Sequence, residues 1–394
     1  MSVDPARQWN RTRVWYRPMT ARDRRERHRA ATPLELLFDL CFVVAVSQAS
    51  AQLHHSLAEN DLGHGVVNYL VVFFAIWWGW VNFSWFASAF DTDDVPYRLA
   101  TLVQIAGALV VAAGVPDAWH NDLTTIVVGY VLMRLAMVAQ WLRAARTDRD
   151  HRPTALRFAL GITVVQVGWV LRLALPESWY LPSFLVLVAA EVLVPVWAER
   201  ATTTTWHPAH IAERYGLFTL IVLGESILAA TNAIQEGLSS GHSVGALIAI
   251  AAAGLVIVFC MWWLYFDQPG HRRLMQLRNG LAWGYGHYVI FASAAAAGVG
   301  LQIAIDHDTH TAHLDDLAAG MALTVPVALY LLSVWLLHIG PRNECRPIAV
   351  GFPLVSVLVL AVSWTPVPLY LTAVLVAGLV ATTVLATHGH PVDD

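Results

Sequence analysis

The chain has 394 residues, 57% of them hydrophobic and 13% charged, with a formal net charge of -4. Its mean hydropathy is +0.53, whereas soluble globular chains are roughly 25% charged, so a soluble single-core domain is excluded and a polytopic membrane protein is indicated. All 24 basic residues are arginine, and their clustering ahead of the first apolar run suits a membrane-surface signal better than a nucleic-acid arm.

Residues 1–31 are polar and Arg-rich, with nine arginines from Arg7 to Arg29. They contain no short apolar core and no small-residue cleavage site, so no removable leader is expected. Apolar runs then predict twelve helices, at 34–54, 66–89, 99–115, 123–146, 155–175, 181–198, 209–234, 243–266, 279–304, 317–338, 348–364 and 367–387. The expected fold is an all-α polytopic membrane bundle of about twelve spans. A cytoplasmic segment at 1–31, six-helix halves at 32–204 and 205–388, and a tail at 389–394 complete it.

The arginines fall on alternate loops: Arg98; Arg143, Arg146, Arg149 and Arg152, with Arg157 just after; Arg200 and Arg214; Arg272, Arg273 and Arg278; Arg342 and Arg346. The intervening loops, HHSLAENDLGHG, VPDAWHND, LPESWY, QEGLSSGH, DHDTHTAHLDD and SWTPVP, contain none. By the positive-inside rule both termini are expected in the cytoplasm, with the chain in a bacterial inner membrane.

A faint internal repeat is visible. Pro33, Glu35 and Leu37-Phe38 are echoed by Pro208, Glu213 and Leu217-Phe218; Ser84-Trp85-Phe86 and Phe90-Asp91 by Met261-Trp262-Trp263 and Phe266-Asp267; AAGV at 112–115 by AAGV at 296–299. The order is conserved six helices apart, which suggests a parallel six-plus-six repeat of the kind found in transporters.

Two acids open the first helix. Thr32, Pro33 and Glu35 match a capping box, with the carboxylate favoured by the helix dipole. Asp39 has no such explanation. It lies one turn deeper, about 8 Å beyond Leu34, and a charge well inside the core costs about 3 kcal/mol. Glu35 and Asp39 share a face at i,i+4, where like charges repel, so a cation, a shared proton or water is expected between them. The plainer alternative is a carboxylate hydrogen-bonded to a neighbouring helix.

Five further groups fall near mid-span: Gln104, Arg134, Glu191, Glu225 and His287. Arg134 needs an acid, with Asp39, Glu191 and Glu225 as candidates; such a pair can also simply lock the bundle. Glu225 sits between Gly224 and Ser226, suggesting close backbone approach and a serine hydrogen bond to the carboxylate. His287 can carry protons near neutral pH or be a neutral core residue. Asp39, Gln104, Arg134, Glu191, Glu225 and His287 are therefore the expected ion, proton or substrate pathway, with Glu35, Glu213 and Arg214 at its cytoplasmic entrance.

His207, His210 and Glu213 have the spacing to meet on one helical face and are the metal candidates. Their place at a helix start, where polar residues are expected, explains them better, so no metal or other cofactor is assigned. The outer loop with Asp306, His307, Asp308, His310, His313, Asp315 and Asp316 reads as a solvated acidic loop. In FDTDDVPYR, Asp91 is expected to cap or lock the loop against Arg98. Cys41, Cys260 and Cys345 show no metal or disulfide spacing. No phosphate loop, HExxH, nucleophile elbow or dinucleotide fingerprint occurs.

TPLELLFDLCFVVAV, WWGWVNFSWFASAFDTDDVPYR, HPAHIAERYGLFTLIVLGES and WGYGHY resemble the bacterial low-temperature-requirement protein A family, from about Thr32 to Gly300. The resemblance implies a polytopic inner-membrane protein with a role in growth in the cold; it implies no substrate or catalytic set. A weaker analogy is to lysosomal potassium channels, whose F-S-D-like element is here Phe38-Asp39 without the serine. The expected function is a transporter or ion- and proton-conducting protein using buried carboxylates, partnered by the bilayer and an unidentified ion or small solute. The alternatives are a membrane-embedded enzyme acting on a lipid or amphiphile, and a non-catalytic membrane-organising or stress-response protein.

Overall fold

The computed structural model describes residues 15–23, 30–239, 243–267, 277–340 and 345–388; for residues 236, 277–279, 387 and 388 it describes the backbone alone. Most of the leading arginines, Arg272, Arg273, Arg342 and the tail at 389–394 lie outside the described residues, as does the side chain of Arg278. Twelve helices are long and apolar enough to cross a membrane, and among the described residues there is no strand. They are α1 (Pro33–Ala58), α2 (Leu62–Phe90), α3 (Val95–Ala113), α4 (Thr124–Thr147), α5 (Arg152–Arg172), α6 (Tyr180–Ala198), α7 (Pro208–Ser239), α8 (Val244–Phe266), α9 (Leu277–Asp308), α10 (Asp316–Val334), α11 (Arg346–Ala361) and α12 (Pro368–His388). Each coincides with an expected span. α1, α7 and α9 run further than expected because their polar final turns, such as HHSLA and DHD, remain helical.

Side-chain caps set several starts. Thr32 and Glu35 form the expected capping box: the Thr32 amide donates to Glu35 Oε2 at 2.7 Å and the Glu35 amide to Thr32 Oγ1 at 3.3 Å. Asp94 caps α3 through the Tyr97 amide, with Pro96 in the first turn. Asp315 caps α10 through the Ala318 amide at 2.7 Å. Cys41, Cys260 and Cys345 are all free thiols.

The chain divides into two compact units, Met1–Phe42 with Trp78–Ile211, and Val43–Trp77 with Ala212–Asp394. The division cuts α1 and α2 rather than falling between residues 204 and 205. It follows compactness and leaves the six-plus-six repeat a reading of the sequence.

In the first unit α3 packs on α4, α4 on α5 and α5 on α6. Gly107 and Gly129 bring the α3 and α4 backbones together; a Cβ at either would lie 2.6–2.7 Å from the other's carbonyl oxygen. Trp141 stacks on Phe158 with centroids 4.2 Å apart. Residues 15–23 are strapped across the loops of this unit. The Arg17 amide donates to Asp94 and the Ala21 amide to Asp148, both at 2.7 Å. Thr147 and Arg143 donate to the Met19 and Arg17 carbonyls, the Arg22 amide to Ala89, and Met19 is buried. The segment before α1, the α2–α3 loop and the α4–α5 loop therefore share one end of the unit.

In the second unit α9 packs on α10, α10 on α11, and α11 and α8 on α12. Gly300 lets the α10 backbone in: a Cβ there would lie 2.5 Å from the Ala322 carbonyl oxygen. The Tyr69, Tyr288 and Tyr330 hydroxyls donate to the carbonyls of Ala292, Leu70 and Met261 at 2.7–2.9 Å, so their rings pack without stranding a polar atom.

Asp94 ties the strap to the first unit. Burial works against its ionisation, but Arg143 and the amides of Arg17 and Tyr97 outweigh this and hold its carboxyl below the usual carboxylate range. A lowered folded value means stabilisation that is complete above an unfolded value of about 3.9 and lost as pH falls through the folded one. Asp94→Asn should cost about 2 kcal/mol at pH 7. Thermal unfolding in detergent should show the gap from the unaltered protein closing as pH drops below about 4.

Candidate functional site

The expected pathway residues separate into groups with different chemistry. In the first unit Arg134 of α4 finds Glu191 of α6, one of its three candidate acids, at 3.0 Å. The pair is almost entirely removed from solvent. The same guanidinium nitrogen donates to the Tyr130 hydroxyl at 2.6 Å, and the guanidinium lies 4.7 Å over the Tyr130 ring. Glu191 also accepts the indole N–H of Trp78 at 2.9 Å and of Trp169 at 3.2 Å. Four helices, α2, α4, α5 and α6, thus converge on one carboxylate. An arginine does not release its proton in a protein, so this pair is a fixed lock. Gln104 of α3 is buried in the same unit, its side-chain nitrogen without a hydrogen bond among the described residues.

Near the strapped end, Glu35 and Asp39 are both buried. Asp39 accepts the Trp80 indole N–H at 2.7 Å, while Glu35 Oε1 lies 3.3 Å from His210 Nε2, with His210 fully buried. Thus α2 brings an indole to one turn of α1 and α7 an imidazole to the previous turn. Asp93, not Asp91, pairs with Arg98, at 2.8 Å. Asp91 instead accepts the Asp93 amide, because Asp93 takes a left-handed conformation with φ 48°.

In the second unit the expected surroundings of Glu225 are also corrected. Ser226 donates to the Val222 and Ala294 carbonyls, not to the carboxylate. Close packing comes from Gly298 of α9, where a Cβ would lie 2.5 Å from Ser226 Oγ, whereas nothing lies within 4 Å of a Cβ at Gly224. Glu225 is half-exposed midway along α7, and no hydrogen bond or ion pair reaches its carboxylate among the described residues. Arg214, expected at an entrance, is fully buried, and Glu213 is half-buried.

His287 is fully buried and lies in the first half of its helix. Its Nδ1 lies 2.7 Å from the Trp283 carbonyl; a carbonyl only accepts, so Nδ1 carries the proton and neutral Nε2 accepts. The Tyr265 hydroxyl lies 3.0 Å from Nε2, and Nε2 of His338 lies 3.4 Å away. His338 sits in a π-helical turn, Trp335–Ile339, at the end of α10, a feature frequent at functional positions. Tyr215, Trp283 and Phe291 complete an aromatic wall.

Among the described residues no three His, Cys, Asp or Glu side chains are grouped as a metal ion would require. His210 faces Glu35, and His207 accepts the His210 amide through Nδ1 at 3.4 Å. Around the α9–α10 loop Asp306 pairs with His54 at 2.7 Å and Asp316 with His307 at 3.2 Å.

The model of the family described as bacterial low temperature requirement A protein (LtrA) matches residues 30–386. The chain belongs to the LtrA family. With its twelve apolar helices it is a multi-pass membrane protein. An uncharacterized protein of Rhizobium meliloti (strain 1021) is 26% identical over 291 residues, 69% of each chain. The residues that reasoning from sequence missed in this LtrA-family chain are the indole donors Trp78, Trp80 and Trp169, the second imidazole of His338, and Arg172. Arg172 was detectable as an arginine beside the loop LPESWY, on the arginine-poor side.

Glu191→Gln should leave Arg134 buried without its counter-charge and cost about 3–5 kcal/mol. The double replacement Arg134→Met with Glu191→Leu should recover most of that loss, two indole N–H groups still lacking their acceptor. Apparent melting temperatures in detergent, read by loss of the monodisperse size-exclusion peak, measure both.

Proposed function

We propose that this LtrA-family protein is a carrier or ion- and proton-conducting protein in which Glu225 is the acid that engages the transported cation or proton. The observation that carries the reading is the contrast between two mid-helix carboxylates. Glu191 is held by an arginine and two indoles. Glu225 has no bonding partner among the described residues and stands beside open space at Gly224. An ionisable group at such depth is costly, and a site that takes up and releases charge is the usual reason to keep one.

A pair of facing imidazoles supports the reading. The facing Nε2 atoms of His287 and His338 suit a single shared proton, since two protonated nitrogens at that distance would repel. We place the strapped end of the first unit in the cytoplasm, with both termini and the arginine-rich loops on that side of the inner membrane.

A lipid-handling role is the second reading. A cavity of about 450 Å³ in the second unit is lined by Leu53, Leu62, Tyr69, Ala292, Met321 and other mostly apolar residues, and it would accept an acyl chain.

Proton and monovalent-cation flux into liposomes holding the purified protein tests the first reading. Glu225→Gln should lower flux at least about tenfold, a change of about 1.4 kcal/mol, with the protein still monodisperse. Unchanged flux in the variant would remove Glu225 from the path, and no flux of any such ion in the unaltered protein would favour the lipid-handling role.

A further inference from the structure

The first unit has a second polar feature that the carrier reading does not use. At the end away from the strap, a cleft of about 320 Å³ is lined by His120, Asn121, Asp122, Arg172, Glu177 and Tyr180, among others. Its size is at the lower end of small-molecule pockets. Arg172 ends α5 and is only 7% exposed. Its Nε donates to Ser183 Oγ at 3.0 Å, and one terminal nitrogen donates to the Tyr180 carbonyl at 2.7 Å. The guanidinium lies 4.7 Å from the Tyr180 ring and 5.9 Å from the Trp169 ring. Every one of these contacts is uncharged. No carboxylate lies within ion-pair distance of Arg172 among the described residues.

A guanidinium this buried needs a counter-charge, and its planar fork of donors suits an oxyanion held by two bonds. The lip of the cleft carries the opposite sign. Glu177 and Asp122 are both exposed there. Glu177 accepts the Asn121 side-chain amide at 3.0 Å, and Asp122 accepts the Thr124 amide at 2.9 Å. Asn121 takes a left-handed turn with φ 62°, a conformation asparagine tolerates, and this turn carries its amide to Glu177. A simple anion would meet two carboxylates on its way to Arg172, and a simple cation would meet the arginine.

We propose that this cleft binds a small zwitterion, its oxyanion on Arg172 and its ammonium against Glu177 and Asp122. Free amino acids and the ethanolamine phosphate headgroup of a lipid share that chemistry. The assignment goes beyond the carrier reading and stands or falls without any measurement of flux.

The test is titration calorimetry on the full chain in detergent, with glycine, O-phosphoethanolamine, acetate and ethylamine as probes. At least one zwitterion should bind at least about tenfold more tightly than acetate or ethylamine. Arg172→Gln should weaken that binding at least about tenfold. Arg172→Lys, which keeps the charge but not the fork, should weaken it less, and it carries the test if the glutamine variant does not fold. Glu177→Gln should erode the preference over acetate. Native mass spectrometry from nanodiscs of phosphatidylethanolamine and phosphatidylglycerol separates the sources. Retained phosphatidylethanolamine, lost in Arg172→Gln, assigns a headgroup; zwitterion binding with no retained lipid assigns a free solute. Failure of the unaltered protein both to bind a zwitterion and to retain phosphatidylethanolamine overturns the proposal. So does binding that is equal in Arg172→Gln, or acetate bound as tightly as glycine and O-phosphoethanolamine.

Discussion

One carboxylate, Glu191, organises the first unit. Hydrocarbon offers no water to satisfy a polar group, so every donor and acceptor at that depth must find its partner in the protein. Arg134, Trp78 and Trp169 reach Glu191 from three different helices. The ion pair adds less to stability than its Coulomb attraction suggests, because both charges were taken out of water. What it adds is direction: the rotation of α2, α4, α5 and α6 about their own axes is fixed by where those groups must point. Greasy surfaces alone would not fix it, since lipid competes equally well for them.

With that interaction as reference, the other ionisable groups sort by how completely the protein answers them. Asp94 has an arginine and two backbone amides and is structural. Glu35 lies 3.3 Å from a fully buried His210. His287 is fixed in one tautomer by a backbone carbonyl, its free nitrogen aimed at a second imidazole and a phenol. Glu225 is answered by nothing among the described residues. The gradient from locked to open is the physical basis for proposing Glu225 as the acid that engages the cargo.

The spans were legible because apolar runs of about twenty residues leave little choice in a bilayer, and Asp94, Asp315 and the Thr32–Glu35 box mark starts that the chain obeys. The capping box and the need of Arg134 for an acid were legible too. Which acid was not, because Arg134 and Glu191 are 57 residues apart and the choice depends on how each helix is turned. The same rotation hid Trp80 from Asp39. At Glu225 local spacing misled: Ser226 prefers main-chain carbonyls one turn back and across on α9, as serines in apolar helices often do. His338 lay hidden in an apolar run, since nothing in LLHIG shows that a π turn will swing it towards α9.

The strap across the first unit has a consequence in time. Residues 15–23 leave the ribosome before any of their partners exist. Asp94 follows Arg17 by 77 residues, and Asp148 follows Ala21 by 127. Chains are synthesised at about 5–20 residues per second, so the segment waits several seconds, its amides on water, while α1 to α4 are made. The clasp closes only when the chain beyond α4 has emerged, so this segment takes its place only after four helices that follow it have been made.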